Sequence, residues 1–140
     1  MNTVNVSDWN VAEIEAFMTR EWPPHDAPFG IHWELCDILL VARRNEEALG
    51  AARGWVAGGV GELKQLLVKK GQDRAGVGSL LMKEFESRCR AMGSHKLRLD
   101  TAEYQARPFY ERHGFACVAT LENDRFGKAL FIMEKRVETA

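Results

Sequence analysis

LLVKKGQDRAGVGSLLMKEFESRCRAMG, residues Leu66 to Gly93, sets the reading of the whole chain. Leu66-Leu67-Val68 is the end of an apolar run. Lys69 to Gly78 is polar and Gly-rich. From Gly76 to Met92 the apolar residues Val77, Leu81, Phe85, Cys89 and Met92 recur at the spacing of one helical face. Glu84–Arg88 and Glu86–Arg90 lie four apart on the other face with the acid first, the order that supports a helix. The stretch therefore predicts strand, Gly-rich loop, long helix. That unit aims free backbone N–H groups and the positive end of a helix dipole at one place, where a phosphate binds well.

Two phosphate loops fail on the residues. A P-loop carries Gly-Lys-Ser/Thr after its spacer, but Val77 and Gly78 follow Gly76 here. A dinucleotide fingerprint puts its third Gly where this chain has Leu81. DRAGVG, Asp73 to Gly78, is similar to the pyrophosphate loop Gln/Arg-x-x-Gly-x-Gly/Ala of the GNAT superfamily of acyl-CoA-dependent N-acetyltransferases, with Asp73 at the Gln/Arg position. On the loop alone, an ordinary strand-to-helix turn competes with this reading. A second motif follows in the family's order: within KLRLDTAEYQARPFYERHGF, Lys96 to Phe115, the residues Phe109, Tyr110, Gly114 and Phe115 resemble the family's Phe-Tyr-x-x-x-Gly-Phe. The resemblance covers about Ala48 to Val137.

The resemblance implies one domain over residues 1–140, with a mixed, largely antiparallel α/β (α+β) sheet and helices on both faces. The strands before the loop and after the long helix would pair at one end and splay at the other, with the pantetheine arm in the gap. Acetyl-CoA is then the expected cosubstrate. Leu67 and Val68 would offer it backbone, and Asp73, Arg74, Ala75, Gly76, Val77, Gly78 and Ser79 would hold its pyrophosphate. Tyr110 stands at the family's acid for the departing thiolate, with a core aromatic as the alternative. Glu62, on the strand entering the loop, is the candidate base for the amine, with a solvent-facing strand residue as the alternative. Trp22, His32, Trp33 and Glu34 fall in the region that shapes the family's acceptor site. A non-catalytic acyl-CoA-binding or sensing module is the rival function.

Composition sets the bounds. One domain suits 140 residues, and 46% hydrophobic residues suffice for a core. Nineteen Lys+Arg against twenty Asp+Glu give a net charge of -1, which disfavours nucleic acid or an anionic membrane as the main partner. Cys36, Cys89 and Cys117 have no CxxC spacing, and His25, His32, His95 and His113 are scattered, so no metal site is expected. Cys89 reads as a buried small hydrophobe. A polar N-terminus and the lack of an apolar run of about eighteen residues predict a cytoplasmic protein.

The remaining chain predicts a strand at Thr3–Val6, a helix from Asp8 to about Arg20 capped by Ser7, and a loop at Glu21–Pro28. Strands are expected at Asp37–Arg43, Ala48–Val56, Val60–Val68, Lys96–Thr101, Ala116–Leu121 and Ala129–Val137, with a short helix at Tyr104–His113. Gly50 and Gly54 are candidate close-approach sites. Leu130-Phe131-Ile132-Met133 predicts a strand covered on both faces and a candidate homodimer surface.

Overall fold

The computed structural model describes residues 3–72 and 76–138. These fall into two compact units, Met1–Glu34 and Leu35–Ala140. The N-terminal unit holds α1 (Val11–Glu21), α2 (Pro23–Asp26) and a 3-10 turn at Ala27–Phe29. Residues Thr3–Val6 form no strand, since a single extended run without a partner strand leaves its backbone groups unpaired. The cap of α1 is Asn10, not Ser7. Asn10 Oδ1 accepts the Glu13 N–H at 2.9 Å, and its Nδ2 donates to Glu13 Oε2 at 2.5 Å. That reciprocal pair satisfies an orphan donor at the helix start, which Ser7 is too far upstream to reach. The expected loop at Glu21–Pro28 is partly helical because Pro23 and Pro24 occupy the first helical positions, where a missing N–H costs nothing.

The second unit contains β1 (Cys36–Arg44), β2 (Glu47–Ala57), β3 (Val60–Val68), α3 (Val77–Ala91), β4 (Lys96–Ala102), α4 (Arg107–Arg112), β5 (Ala116–Leu121) and β6 (Leu130–Arg136). They build a mixed six-stranded sheet in the order β1-β2-β3-β4-β6-β5. All neighbouring strands are antiparallel except β3 and β4, the pair joined through α3. Every expected strand of this unit is present within a residue or two at each end.

Helix α3 lies across β1, β2 and β3. Its stripe Val77, Leu81, Phe85 and Cys89 is buried, joined by Gly78 and Met82. Met92 departs from the expected stripe: the helix ends at Ala91, Gly93 turns the chain at φ 87°, and Met92 is exposed. Burial pushes the Cys89 thiol up to about 12, so it packs as an uncharged hydrophobe. The sheet gives way to the helix at glycines. A Cβ on Gly54 would fall 2.1 Å from the Glu62 carbonyl oxygen and 2.8 Å from the Phe85 ring. One on Gly50 would meet Val77 at 2.9 Å and Leu81 at 3.1 Å. Arg88 Nε meets Glu84 Oε1 at 2.9 Å as the spacing predicts. Glu86 and Arg90 are 3.9 Å apart, because Lys135 of β6 takes Glu86 Oε1 at 2.6 Å and fastens α3 to the far half of the sheet.

In β6 only Met133 is buried, and Leu130, Phe131 and Ile132 are half-buried, so the strand is less covered than its unbroken apolar run predicts. It lies between β4 and β5, which leaves β5 as the edge strand on that side, opposite β1. Among the described residues, no helix is long and apolar enough to cross a membrane.

Candidate active site

The parallel pairing of β3 and β4 lasts for three residues: Val60, Gly61 and Glu62 face Lys96, Leu97 and Arg98. Beyond that point the strands part. β3 stays paired to β2 as far as Val68, and β4 stays paired to β6 as far as Ala102. The gap opens into a cleft of about 1030 Å³ whose walls include Leu63–Leu67, Leu99–Ala102 and Tyr110. The cause of the parting lies partly in a bulge. Arg53 faces Gln65 and Gly54 faces Leu63, so Lys64 has no partner on β2 and the strand bends there.

A splayed parallel pair leaves backbone groups without strand partners. Lys69 donates its N–H to Leu49 O at 2.7 Å, so its backbone turns toward β2. By antiparallel alternation Leu67 turns toward β2 as well, while Leu66 and Val68 turn their N–H and C=O into the gap. Of the two strand residues expected to offer backbone, Val68 turns its main chain into the gap, whereas Leu67 turns its main chain toward β2 and is among the residues that line the cleft.

Helix α3 starts past the end of β3. Gly76 is its N-cap at φ 75°, a left-handed conformation that glycine adopts without strain, and among the described residues no side chain caps the helix. Among the described residues, its chain neighbours aside, no atom lies within 4 Å of where a Gly76 Cβ would stand. Leu80 is the first residue to donate an intrahelical bond, to Gly76 O at 3.0 Å, which leaves the amides of Val77, Gly78 and Ser79 as the orphan donors of the first turn. Gly78 serves a second purpose. A Cβ there would lie 3.4 Å from the Phe109 ring and 3.5 Å from Val68, so the loop motif and the Phe-Tyr motif meet at this residue. Asp73, Arg74 and Ala75 lie outside the described residues.

Tyr110 enters the cleft wall from α4. Thr101 Oγ1 accepts the Ala106 N–H at 3.3 Å, and Gln105 Oε1 accepts the Ala102 N–H at 2.7 Å, so the end of β4 fixes the start of α4. Arg107 stacks its guanidinium 4.5 Å from the Phe131 ring centroid and holds α4 to β6. The Tyr110 ring packs edge-on against Phe109 and Phe115 at 5.1 and 6.0 Å and is only 8% exposed. Burial, and then the Asp100 carboxylate, raise its pKa, so at neutral pH the phenol keeps its proton. Asp100, on β4 past the parting, lines the same cleft.

Glu62 sits elsewhere. It is the last residue of β3 paired to β4, one before the cleft wall begins at Leu63. Trp55 Nε1 donates to its Oε2 at 3.2 Å, and Arg98 Nη2 lies 3.7 Å from the same oxygen. Trp22, His32, Trp33 and Glu34 belong to the N-terminal unit.

His113, which had no assigned role, closes α4 and meets Ser79 at the start of α3, Nε2 to Oγ 3.1 Å, with its ring 4.7 Å from Phe109. Burial first, then Lys135 and Lys83, lower its pKa; Glu86 opposes them and Arg112 adds to them. A lowered pKa means that folding disfavours the cation. The associated stability is complete above the unfolded value of about 6.5 and is lost as pH falls through the folded value. We expect the Tm of the parent to drop more steeply below pH 6.5 than that of His113→Gln, which stays neutral; parallel Tm–pH curves from calorimetry would show that His113 has no such role.

A family model described as Acetyltransferase (GNAT) family matches residues 7–115. The chain is 34% identical over 83 residues to the Bacillus subtilis (strain 168) protein named Uncharacterized N-acetyltransferase YjcF, covering 59% of each. It is 36% identical over 84 residues to the IAA acetyltransferase of Azospirillum brasilense, covering 56% of this chain and 54% of that one. The matched stretch is thus little more than half of these curated relatives. Among solved structures, an acetyltransferase from Bacillus cereus ATCC 14579 has a TM-score of 0.83 at 21% identity, over 96% of this chain and 98% of that one. An aminoglycoside 6'-N-acetyltransferase complexed with coenzyme A has a TM-score of 0.65 at 20% identity, over 71% of this chain and 72% of that one. At these identities the likeness is one of fold.

Proposed function

The chain belongs to the Acetyltransferase (GNAT) family, and from that premise we propose that it transfers an acetyl group from acetyl-CoA to a primary amine. The family match crosses the boundary between the two units, which supports reading residues 1–140 as one acetyltransferase domain. The observation that carries the reading is the parting of β3 from β4 after Glu62, which leaves a backbone edge open beside Tyr110 and ahead of an uncapped helix. Coenzyme A fits these features. Its pantetheine amides suit the free edge at Leu66 and Val68, in the manner of an added strand. Its pyrophosphate suits the amides of Val77, Gly78 and Ser79, with Gly76 leaving open space. Asp73, Arg74 and Ala75 complete the proposed cradle.

Acetyl-CoA supplies an activated thioester. In the transfer, the amine nitrogen bonds to the acetyl carbon and the carbon–sulfur bond breaks. The amine gives up one proton and the sulfur gains one. The Val68 N–H is the proposed donor to the thioester oxygen as charge gathers there. Tyr110, held protonated by burial, is the proposed acid to sulfur. Glu62 is the proposed base. Its position one residue short of the cleft calls for a bridging water between carboxylate and amine. Such a relay is worth less than a directly placed base. Glu62→Gln is expected to lower the rate ~5-fold near pH 7, below the roughly 10²–10⁴ of a positioned group. The loss should shrink as pH rises and free amine accumulates. A pH–rate profile overlaying that of the parent would return Glu62 to a strand residue held by Trp55 and Arg98.

Release of free thiol from acetyl-CoA, measured against a panel of amines, tests the function. Amine-dependent release is expected. Coenzyme A binding without release on any amine would make the protein an acyl-CoA-binding module instead.

A further inference from the structure

Six charged side chains line the cleft: Arg53, Lys64, Arg125 and Lys128 against Asp100 and Asp124. Among the described residues none of the six is in an ion pair. Four cations against two carboxylates make the wall positive, in a chain whose net charge is -1. Low-dielectric walls focus the field of such unpaired charge into the cleft, which favours an anionic occupant.

The cations lie away from the proposed phosphate seat. Lys64 is the unpaired bulge residue between Leu63 and Gln65, where the strands have just parted. Four steps along the strand, roughly 13 Å, separate it from Val68. Arg125 and Lys128 come from the β5–β6 connection, a tight loop closed by Asp124 N–H to Lys128 O at 2.8 Å and Gly127 N–H to Asp124 O at 3.0 Å. That loop also holds Phe126 at φ 59°, a left-handed conformation unfavourable for a bulky side chain, and leaves its ring 88% exposed at the cleft. Backbone strain that presents an aromatic ring to a cleft accords with a binding role. Asp100 lines the cleft together with Tyr110, whose phenol feels its charge.

We propose that the acceptor is an amine that also bears a carboxylate, an amino acid or a close analogue. Its carboxylate meets the cationic rim at Arg53, Lys64 and Arg125, its apolar part lies against Phe126, and its amine is turned toward Asp100 and Tyr110. This rests on the acetyl-transfer reading above. Two anions could answer to the same cations, the acceptor carboxylate and the phosphates of coenzyme A, and they are separable by which KM moves.

The full chain is assayed for thiol release from acetyl-CoA with matched pairs: phenylalanine against phenethylamine, and lysine against cadaverine. Rates are referred to the free-amine concentration, so differences in amine pKa drop out. At least a tenfold higher kcat/KM is expected for the carboxylate-bearing member. Arg125→Gln should remove most of that preference by raising the acceptor KM, with the acetyl-CoA KM unchanged, and Arg125→Lys should retain it. Equal or faster turnover of the decarboxylated amines overturns the proposal, as does an Arg125→Gln effect confined to the acetyl-CoA KM. If coenzyme A binds by calorimetry but neither member of any pair turns over, the acceptor assignment is overturned. If coenzyme A itself fails to bind, the acetyl-transfer reading falls with it.

Discussion

Gly76→Glu is expected to weaken coenzyme A binding by at least tenfold, about 1.4 kcal/mol, in a protein that still folds. Two effects add. Gly76 holds φ 75°, which costs a residue with a Cβ roughly 1–2 kcal/mol of backbone strain, and binding bears that cost where the free loop relaxes out of the conformation. The new carboxylate also stands beside the amides of Val77, Gly78 and Ser79, where it competes with or repels a pyrophosphate. Among the described residues, its chain neighbours aside, no atom lies within 4 Å of its Cβ, so the core is untouched. Gly76→Ala separates the two effects, because it carries the strain without the charge. Calorimetry should place it between the parent and Gly76→Glu. Unchanged affinity in a folded Gly76→Glu protein would remove the proposed phosphate seat, and with it the proposed cosubstrate.

Tyr110→Phe is expected to lower kcat by ~10–10²-fold with little change in the KM for acetyl-CoA. The ring contacts with Phe109 and Phe115 survive the substitution, so packing is retained. What is lost is one proton donor. A thiol of pKa ~8.5 is already a fair leaving group, which places the effect at the low end for general acid catalysis. In the proposed acid role the hydroxyl matters as negative charge gathers on sulfur, so the expected loss belongs to the transition state and not to ground-state binding. The phenol pKa is raised, so no loss of activity from its ionisation is expected below pH ~10. A higher KM with kcat intact would make Tyr110 a binding residue. No change in either would make it a core aromatic.

Much of this was open to reading in the chain alone, for a physical reason that differs by element. The α3 stripe at Val77, Leu81, Phe85 and Cys89 and the strand runs of the second unit are periodic, and periodicity is a local property. The Gly-rich loop and the Phe-Tyr motif are local as well, so their order along the chain pointed to the fold family before any contact was known. Where two local signals competed, sequence reasoning erred. Ser7 and Asn10 are both good caps, and only the reciprocal bond to Glu13 selects Asn10. Pro23 and Pro24 end one helix and start another, and proline permits both.

What the chain could not disclose is whatever two distant segments make together. Gly78 and Phe109 are each a motif residue, but their contact exists only once α4 returns to the start of α3. His113 reaches Ser79 by the same return. Glu62 and Asp100 are both carboxylates on strands beside the gap; which of them enters the cleft depends on where β3 and β4 part, a matter of one residue in the register. The cationic wall is drawn from β2, β3 and the β5–β6 loop, in a chain whose overall charge is close to neutral. Charge summed along a sequence has no direction; the fold turns these few cations onto one surface, and the proposed acceptor preference rests on that placement.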